Sequence, residues 1–121
     1  MSECAHLCIK PTLIEKPQEI GLLSCLHTLY LSKNRLRTLP ESLGQLKRLR
    51  RLYLGQNKLR KLPESLCNCQ QLEILSVFKN RLETLPTNIG SCKELRILYA
   101  SRNKLLFIPA SISSLLYLHT F

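Results

Sequence analysis

The apolar residues along this chain of 121 residues return every 23 positions. The leading apolar position of each period is a leucine, found at Leu26, Leu49, Leu72, Leu95 and Leu118. Further apolar columns follow three, five and ten positions later, and a proline follows fourteen positions later. One polar column is unbroken, and it consists of Asn34, Asn57, Asn80 and Asn103. Agreement across so many columns indicates a tandem structural repeat.

Each period contains two local patterns. Apolar and polar residues alternate over residues 28–32, which predicts a short strand with one buried face. The second half begins with proline and has apolar residues three apart, which is typical of a helical or 3₁₀ turn. A single unit cannot bury its own apolar face, so the units must stack. The predicted fold class is α/β: a solenoid forming a curved arc, with parallel strands on its concave face and short helical or 3₁₀ turns on its convex face.

The asparagine column marks the turn that follows each strand. A buried side-chain amide without a partner costs about 1–3 kcal/mol. We therefore expect every asparagine to bond the backbone of its own turn and of the next unit.

The repeat pattern divides the chain into a first segment and a regular array. Residues 1–25 match the 23-residue register only in part, since Pro11 falls in the asparagine column and Lys16 in an apolar column. We predict that they form a degenerate N-terminal repeat or cap. Residues 26–121 are predicted to form four full units and a truncated fifth, the full units being 26–48, 49–71, 72–94 and 95–117.

The last residues are more apolar than the pattern requires. Leu116 and Tyr117 stand at positions that are polar in earlier units. An open strand edge beside an apolar patch favours association. We predict self-association through this uncapped C-terminal edge, and that the chain is part of a longer array.

The consensus LxxLxLxxNxLxxLPxxLGxL over residues 26–117 resembles the leucine-rich-repeat family. It is most similar to the intracellular 23-residue class that includes Ras-pathway scaffold and Ras-suppressor proteins. The resemblance implies a protein–protein interaction scaffold that binds on its concave face. It also implies a small GTPase or a phosphatase as the class of partner.

Six cysteines bear on the cellular compartment, namely Cys4, Cys8, Cys25, Cys67, Cys69 and Cys92. The N-terminus lacks the charged-then-apolar layout of a secretory signal. This favours reduced thiols and a cytoplasmic location, with the nucleus as the alternative. No stretch approaches the ~20 consecutive apolar residues of a membrane span.

The residues that usually carry catalysis or hold metals are sparse. The chain contains no Asp, and its four Gly are scattered. Cys4, His6 and Cys8 alternate as metal ligands would on one strand face, with Cys25 or His27 as a fourth ligand, but this spacing is not a standard zinc signature. A degenerate repeat is the favoured interpretation. We predict no enzyme activity, no cofactor and no metal.

The outward positions of the strands and of the turns after them form the predicted binding surface. They carry aromatic residues along the middle and cations along one margin, and the candidate residues are Tyr30, Lys33, Arg35, Arg51, Tyr53, Lys58, Phe78, Lys79, Arg81, Tyr99, Arg102 and Lys104. Tyr and Arg are frequent at binding hot spots. With a formal net charge of +10, the chain favours an acidic protein partner. The alternatives are nucleic-acid binding by interleaved aromatics and cations, and cations that are merely solvated.

Overall fold

The computed structural model describes the backbone of residues 6–8 and all of residues 24–115. Within these residues the chain forms one parallel sheet of five strands in sequence order. The strands are β1 (His6–Cys8), β2 (Thr28–Tyr30), β3 (Arg51–Tyr53), β4 (Ile74–Ser76) and β5 (Ile97–Tyr99). Each of the last four is followed by a 3₁₀ helix, the helices being η1 (Glu41–Gln45), η2 (Glu64–Asn68), η3 (Ile89–Ser91) and η4 (Ala110–Ser114). The predicted solenoid, with strands on one side and 3₁₀ turns on the other, is confirmed.

The register of the sheet follows the repeat, with one exception. From β2 to β5, Leu29, Leu52, Leu75 and Leu98 are successive Cα partners, each 23 residues after the last. Leu7 of β1, however, pairs with Leu29, which is a step of 22 residues. The predicted 23-residue spacing is therefore wrong by one residue at β1. The spacing from the first strand to the second is one residue shorter than the spacings that follow.

The buried core consists of the apolar columns stacked from unit to unit. Strand leucines such as Leu52 and Leu75 are fully buried. The leading leucines of the four described units and the leucines of η1 and η2 are also fully buried. Cys69 and Cys92 occupy the column of Leu46 and are also fully buried. Burial of these stacked side chains stabilises the array, since each unit covers the apolar face of the next.

The asparagine column forms the predicted ladder of hydrogen bonds, but the side chains bond the preceding unit and not, as expected, the next one. The Asn80 side-chain amide donates to the Val77 carbonyl of its own turn (3.0 Å) and to the Leu54 carbonyl of the preceding unit (2.9 Å). Its oxygen accepts the Leu59 N–H at 3.1 Å. Asn57 and Asn103 repeat this arrangement. Among the described residues, no buried side-chain polar atom lacks a partner.

Successive units pack in two ways on the helical side. Gly44 lies against Ser65, and Gly90 lies against Ser111. In each pair the serine hydroxyl donates to a backbone carbonyl of the preceding unit, at 2.6 Å for Ser65 and 2.7 Å for Ser111. Between the second and third units Cys67 replaces the glycine, and Asn88 replaces the serine. There η3 begins at Ile89 and is shorter than its neighbours.

Cysteine chemistry differs from the expectation of uniformly reduced thiols. Cys25 is disulfide-bonded, whereas Cys67, Cys69 and Cys92 are free thiols. The expectation is therefore wrong for Cys25. The expectation treated all six cysteines alike. The free thiols Cys67, Cys69 and Cys92 lie within the regular array, whereas Cys25 lies at the start of the array.

Several predictions concern residues outside those described. The side chains of Cys4, His6 and Cys8 fall there, as do Pro11 and Lys16 and the C-terminal edge at residues 116–121. The domain boundaries and the predicted self-association therefore stay predictions.

Candidate protein-interaction surface

Aromatic side chains on the concave face form a stacked pair. Tyr30 and Tyr53 are Cα partners on adjacent strands, and their rings stack with centroids 5.0 Å apart and planes 7° apart. Tyr30 is 41% exposed, so the stack presents ring area to solvent. Tyrosine supplies a large contact area with a polar tip and little conformational freedom to lose on binding. The sheet register creates this stack, because it holds two tyrosines of the same column on neighbouring strands.

A second aromatic group lies further along the same face. Phe78 covers Gly55, since a Cβ atom on Gly55 would lie 2.9 Å from the phenyl ring. Phe78 and Tyr99 then line a shallow depression of about 350 Å³ with Ser76 and Ser101. Ser76 is the register partner of Tyr53. The predicted aromatic column is thus divided into two aromatic sites at the small, buried Ser76 side chain.

A tight left-handed turn holds the first row of cations. The residue before each asparagine has a φ close to 60°, and these residues are Lys33 (62°), Gln56 (59°), Lys79 (60°) and Arg102 (58°). Such a φ is uncommon for residues other than glycine. The N–H groups of Lys33, Gln56 and Lys79 continue the sheet, as in the bond from Lys79 N–H to the Ser101 carbonyl at 3.0 Å. Lys33, Lys79 and Arg102 therefore project from the end of the sheet and are exposed.

A second row of cations lies two positions later, on the margin of the sheet. The row consists of Arg35, Lys58, Arg81 and Lys104, and Lys58 is half-buried while the others are exposed. Backbone bonds fix its spacing, since the N–H of Lys58 donates to Leu36 O at 2.7 Å and that of Arg81 to Leu59 O at 2.9 Å. All twelve predicted site residues lie on strands or in these turns, and none is buried. Arg51 is exposed on β3 beside the tyrosine stack.

Beyond this margin the structure contains a basic groove that the sequence analysis missed. It is a cavity of about 690 Å³, lined by Arg37, Thr38, Lys58, Arg60, Lys61, Arg81, Glu83 and Thr84. Only Lys58 and Arg81 were among the predicted residues. Arg37 and Arg60 share one repeat column, two positions after the second cation row. Extending the column analysis by two positions would have found them.

The free thiols lie in or beside the core on the helical side. A side-chain hydrogen bond between Cys67 and Cys92 lowers the pKa of Cys67 and, together with burial, raises that of Cys92. Burial also raises the pKa of Cys69 to about 11. With both pKa values raised, Cys69 and Cys92 are protonated near neutral pH. In the described part of the chain, no group of His, Cys, Asp and Glu side chains could hold a metal.

No helix among the described residues combines the length and apolar character needed to cross a membrane.

Two family models match the chain. The model described as "Leucine rich repeat" matches residues 24–82, and a second of the same description matches residues 94–115. A search of the curated proteins gave no match.

Solved structures similar to this chain come from a bacterium and from plants. A leucine-rich-repeat protein of Leptospira interrogans is 35% identical with a TM-score of 0.87, over 96% of this chain and 29% of that one. The leucine-rich-repeat ectodomain of the receptor kinase GASSHO1/SCHENGEN3 from Arabidopsis thaliana, in complex with Casparian strip integrity factor 2, is 37% identical with a TM-score of 0.74. It matches 86% of this chain and 13% of its own. The plant peptide hormone receptor RGFR1, in complex with RGF2, is 30% identical with a TM-score of 0.62, over 85% of this chain and 21% of its own.

This chain therefore spans less than a third of the length of each of these proteins. The stacked 23-residue units, the asparagine ladder and the two family matches agree, and the chain belongs to the leucine-rich-repeat family.

Proposed function

We propose that the chain is a non-catalytic scaffold that binds an acidic protein partner through its concave face. The observation that carries the proposal is the stack of Tyr30 on β2 with Tyr53 on β3. Arg51 lies on β3 as well, and Lys33 and Lys79 follow β2 and β4. A rigid aromatic centre bordered by cations has the composition of a protein-binding hot spot. The cations would add electrostatic steering toward an acidic surface.

The similar structures support an interaction role of this kind. Members of the leucine-rich-repeat family are generally non-catalytic interaction modules. The structures of the two plant receptors are in complex with Casparian strip integrity factor 2 and with RGF2. The sequence resemblance to intracellular scaffolds adds small GTPases and phosphatases as candidate partner classes.

The test is retention of partners from a lysate by wild type and by two matched variants. The Tyr30→Ala/Tyr53→Ala variant removes the exposed stack. The Lys47→Glu/Arg48→Glu variant changes two exposed cations between η1 and β3, outside the predicted binding surface. We expect the tyrosine variant to lose specific proteins that wild type and the second variant retain, with no effect of nuclease. Equal retention by all three proteins would show that the concave face is not the binding site.

Nucleic-acid binding is the second candidate, supported by the aromatic stack next to the cation rows. Its contacts would go mainly to phosphates, so affinity would fall steeply as salt is raised. Binding centred on tyrosines should lose much less affinity. A steep salt dependence together with loss of the bound material on nuclease treatment would favour this candidate over the first.

The cytoplasmic or nuclear location predicted from the sequence rested on reduced cysteines. Because Cys25 is disulfide-bonded and three other cysteines are free, the thiols now favour neither compartment. The location therefore stays a prediction. Mass spectrometry of the native protein, alkylated before and after reduction, would report whether Cys25 is oxidised in the cell.

Self-association through the C-terminal edge also stays part of the proposal. Leu106 and Phe107, in the last described unit, are 77% and 60% exposed and support it. Light scattering of wild type and a Leu106→Ser/Phe107→Ser variant would test it, since only wild type should form larger species as concentration rises.

A further inference from the structure

The basic groove is built from three successive units. Arg37 comes from the first of these units, Lys58, Arg60 and Lys61 from the second, and Arg81 from the third. Strands stacked at ~4.8 Å place the outer two units about 10 Å apart. Five cations therefore line one short groove, and Glu83 is the only acid in its lining.

In the part of the chain that the structure describes, these cations have no anionic partner. Within the described residues, none of the five forms an ion pair or a side-chain hydrogen bond. Glu83 lies at the third-unit end, in the same repeat column as Arg37 and Arg60. Like charges held a few ångströms apart repel even in water, by about 1 kcal/mol per pair at 4 Å. The groove therefore carries a net positive field that an anion from outside the chain would neutralise.

The side chains in the groove suit an anion with several oxygen atoms. The guanidinium groups of Arg37, Arg60 and Arg81 each offer a fork of donors that matches a phosphate in two-point contact. Lys58 and Lys61 add compact charges, and the exposed Thr38 contributes a hydroxyl group. A phosphate monoester carries close to two negative charges at neutral pH and three acceptor oxygens. A single carboxylate would leave most of these donors unused.

The short length of the groove limits the class of molecule that can carry the bound anion. In the last described unit, the columns of Arg60 and Lys61 contain Leu106 and Phe107. The cations of these two columns thus end at Lys61, before the third unit. A single nucleic-acid strand is usually bound along four or more nucleotides. A groove about 10 Å long suits one phosphate group on a side chain better than a polyanionic backbone.

We propose that the groove lined by Arg37, Lys58, Arg60, Lys61 and Arg81 binds a phosphorylated serine, threonine or tyrosine side chain in a partner protein. The proposal deepens the proposed function by naming the class of partner, and it rests on the partner being a protein. The groove lies beside the second cation row, so a partner on the concave face can reach it with a neighbouring segment.

The test uses fluorescent peptide mixtures of random sequence around a fixed central residue. The central residue is phosphoserine, phosphothreonine or phosphotyrosine in the probes, and the unmodified residue or glutamate in the controls. We expect wild type to bind one phosphorylated mixture about tenfold more tightly than its controls. The Arg60→Glu/Lys61→Glu variant should lose this preference, whereas Lys47→Glu/Arg48→Glu, with the same change of charge, should keep it.

Two further variants sharpen the result. Glu83→Gln removes the acid at the groove end and should strengthen binding by a few-fold. Tyr30→Ala/Tyr53→Ala should leave phosphopeptide binding intact, so that loss of partner retention in this variant and loss of phosphopeptide binding in Arg60→Glu/Lys61→Glu report on separate surfaces. Unchanged melting curves would show that the exposed substitutions keep the fold.

Three outcomes would overturn the proposal. One is equal binding of phosphorylated and unmodified mixtures, and another is equal loss in the two charge-reversal variants. The third is stronger binding of single-stranded DNA, or of vesicles containing phosphorylated inositol lipid, than of any peptide mixture. If partner retention by the tyrosine stack persists in such a case, only the phosphate site is wrong.

Discussion

The two sides of the solenoid are held together by different kinds of contact. On the strand side the three junctions between the described 23-residue units repeat the same hydrogen bonds, with the amides of Asn57, Asn80 and Asn103 each linking a turn to the preceding one. On the helical side the junctions differ, since Gly44 meets Ser65 closely while Cys67 replaces the glycine in the next unit. Hydrogen bonds to the backbone fix the contacts between units on the strand side. The size of the side chains sets those contacts on the helical side.

This difference explains where variation is tolerated. The asparagine ladder and the buried strand leucines position the concave face without using its outward side chains. Column neighbours such as Tyr53 and Ser76 can therefore differ in size without disturbing the sheet. Binding residues can change on this face while the fold stays the same.

The largest expected effect separates the two faces of one strand. Leu52→Ala removes a fully buried side chain from the stacked core and should cost about 2–5 kcal/mol of the free energy of unfolding. Arg51→Ala, its exposed neighbour, should stay within about 0.5 kcal/mol of wild type. Urea unfolding of both variants measures the comparison. Similar losses would mean that the inward and outward positions are assigned wrongly.

Asparagines on the strand side and on the helical side should also differ in their contribution to the free energy of unfolding. Asn80→Ala leaves the Leu59 N–H without its partner and removes one of the two asparagine donors to each of the Val77 and Leu54 carbonyls, so we expect a loss of about 1–3 kcal/mol. Asn88 on the helical side is exposed and its side chain does not cap η3. Asn88→Ala should therefore change stability by less than about 0.5 kcal/mol. A small effect of Asn80→Ala would show that water replaces the ladder bonds.

The helical junctions can be tested with one added methyl group. In Gly44→Ala the new Cβ would overlap the backbone of Ser65, and the neighbouring unit must move, at a cost of about 1–3 kcal/mol. Cys67 occupies the same repeat column, and its junction already accommodates a Cβ atom. Cys67→Ala should therefore cost less than Gly44→Ala in the same thermal melts. If Cys67→Ala cost more than Gly44→Ala, the junction between the second and third units would be the more sensitive of the two to a change in side-chain size.

The regular array could be predicted because its features recur in each unit. The features that could not be predicted are those that depart from the repeat. The strands, the 3₁₀ turns and the asparagine bonds recur in every unit, so each was supported by four copies of the evidence. The one-residue shift at β1 and the Cys25 disulfide occur at a single place, where no column can reveal them. The groove was missed because only the columns up to the second cation row were considered, and Arg37 and Arg60 lie two positions beyond it.

The left-handed turn gives a smaller effect. Gln56 has a φ of 59°, which a β-branched side chain tolerates poorly. Gln56→Val should cost about 1–2 kcal/mol. Gln56→Gly should stay within about 1 kcal/mol of wild type, since glycine relieves the strain but gains freedom in the unfolded chain. Equal losses for the two variants in urea unfolding would attribute the cost to the lost glutamine side chain and not to φ.

The smallest expected effect is a pH dependence from the helical side of the core. Burial raises the pKa of Cys69 from 9.0 to about 11 in the folded protein, against a smaller opposing effect of Lys47. As pH rises above 9 the unfolded chain therefore loses this proton first, so the contribution is complete below pH 9 and is lost as pH rises through 11. Between pH 8 and pH 10 the loss attributable to Cys69 should be about 1 kcal/mol.

Cys69→Ala removes this contribution and leaves that of Cys92, so the stability of wild type should fall more steeply with pH than that of the variant. Parallel curves from urea unfolding at each pH would mean that the thiol titrates alike in both states, and that this part of the core admits water.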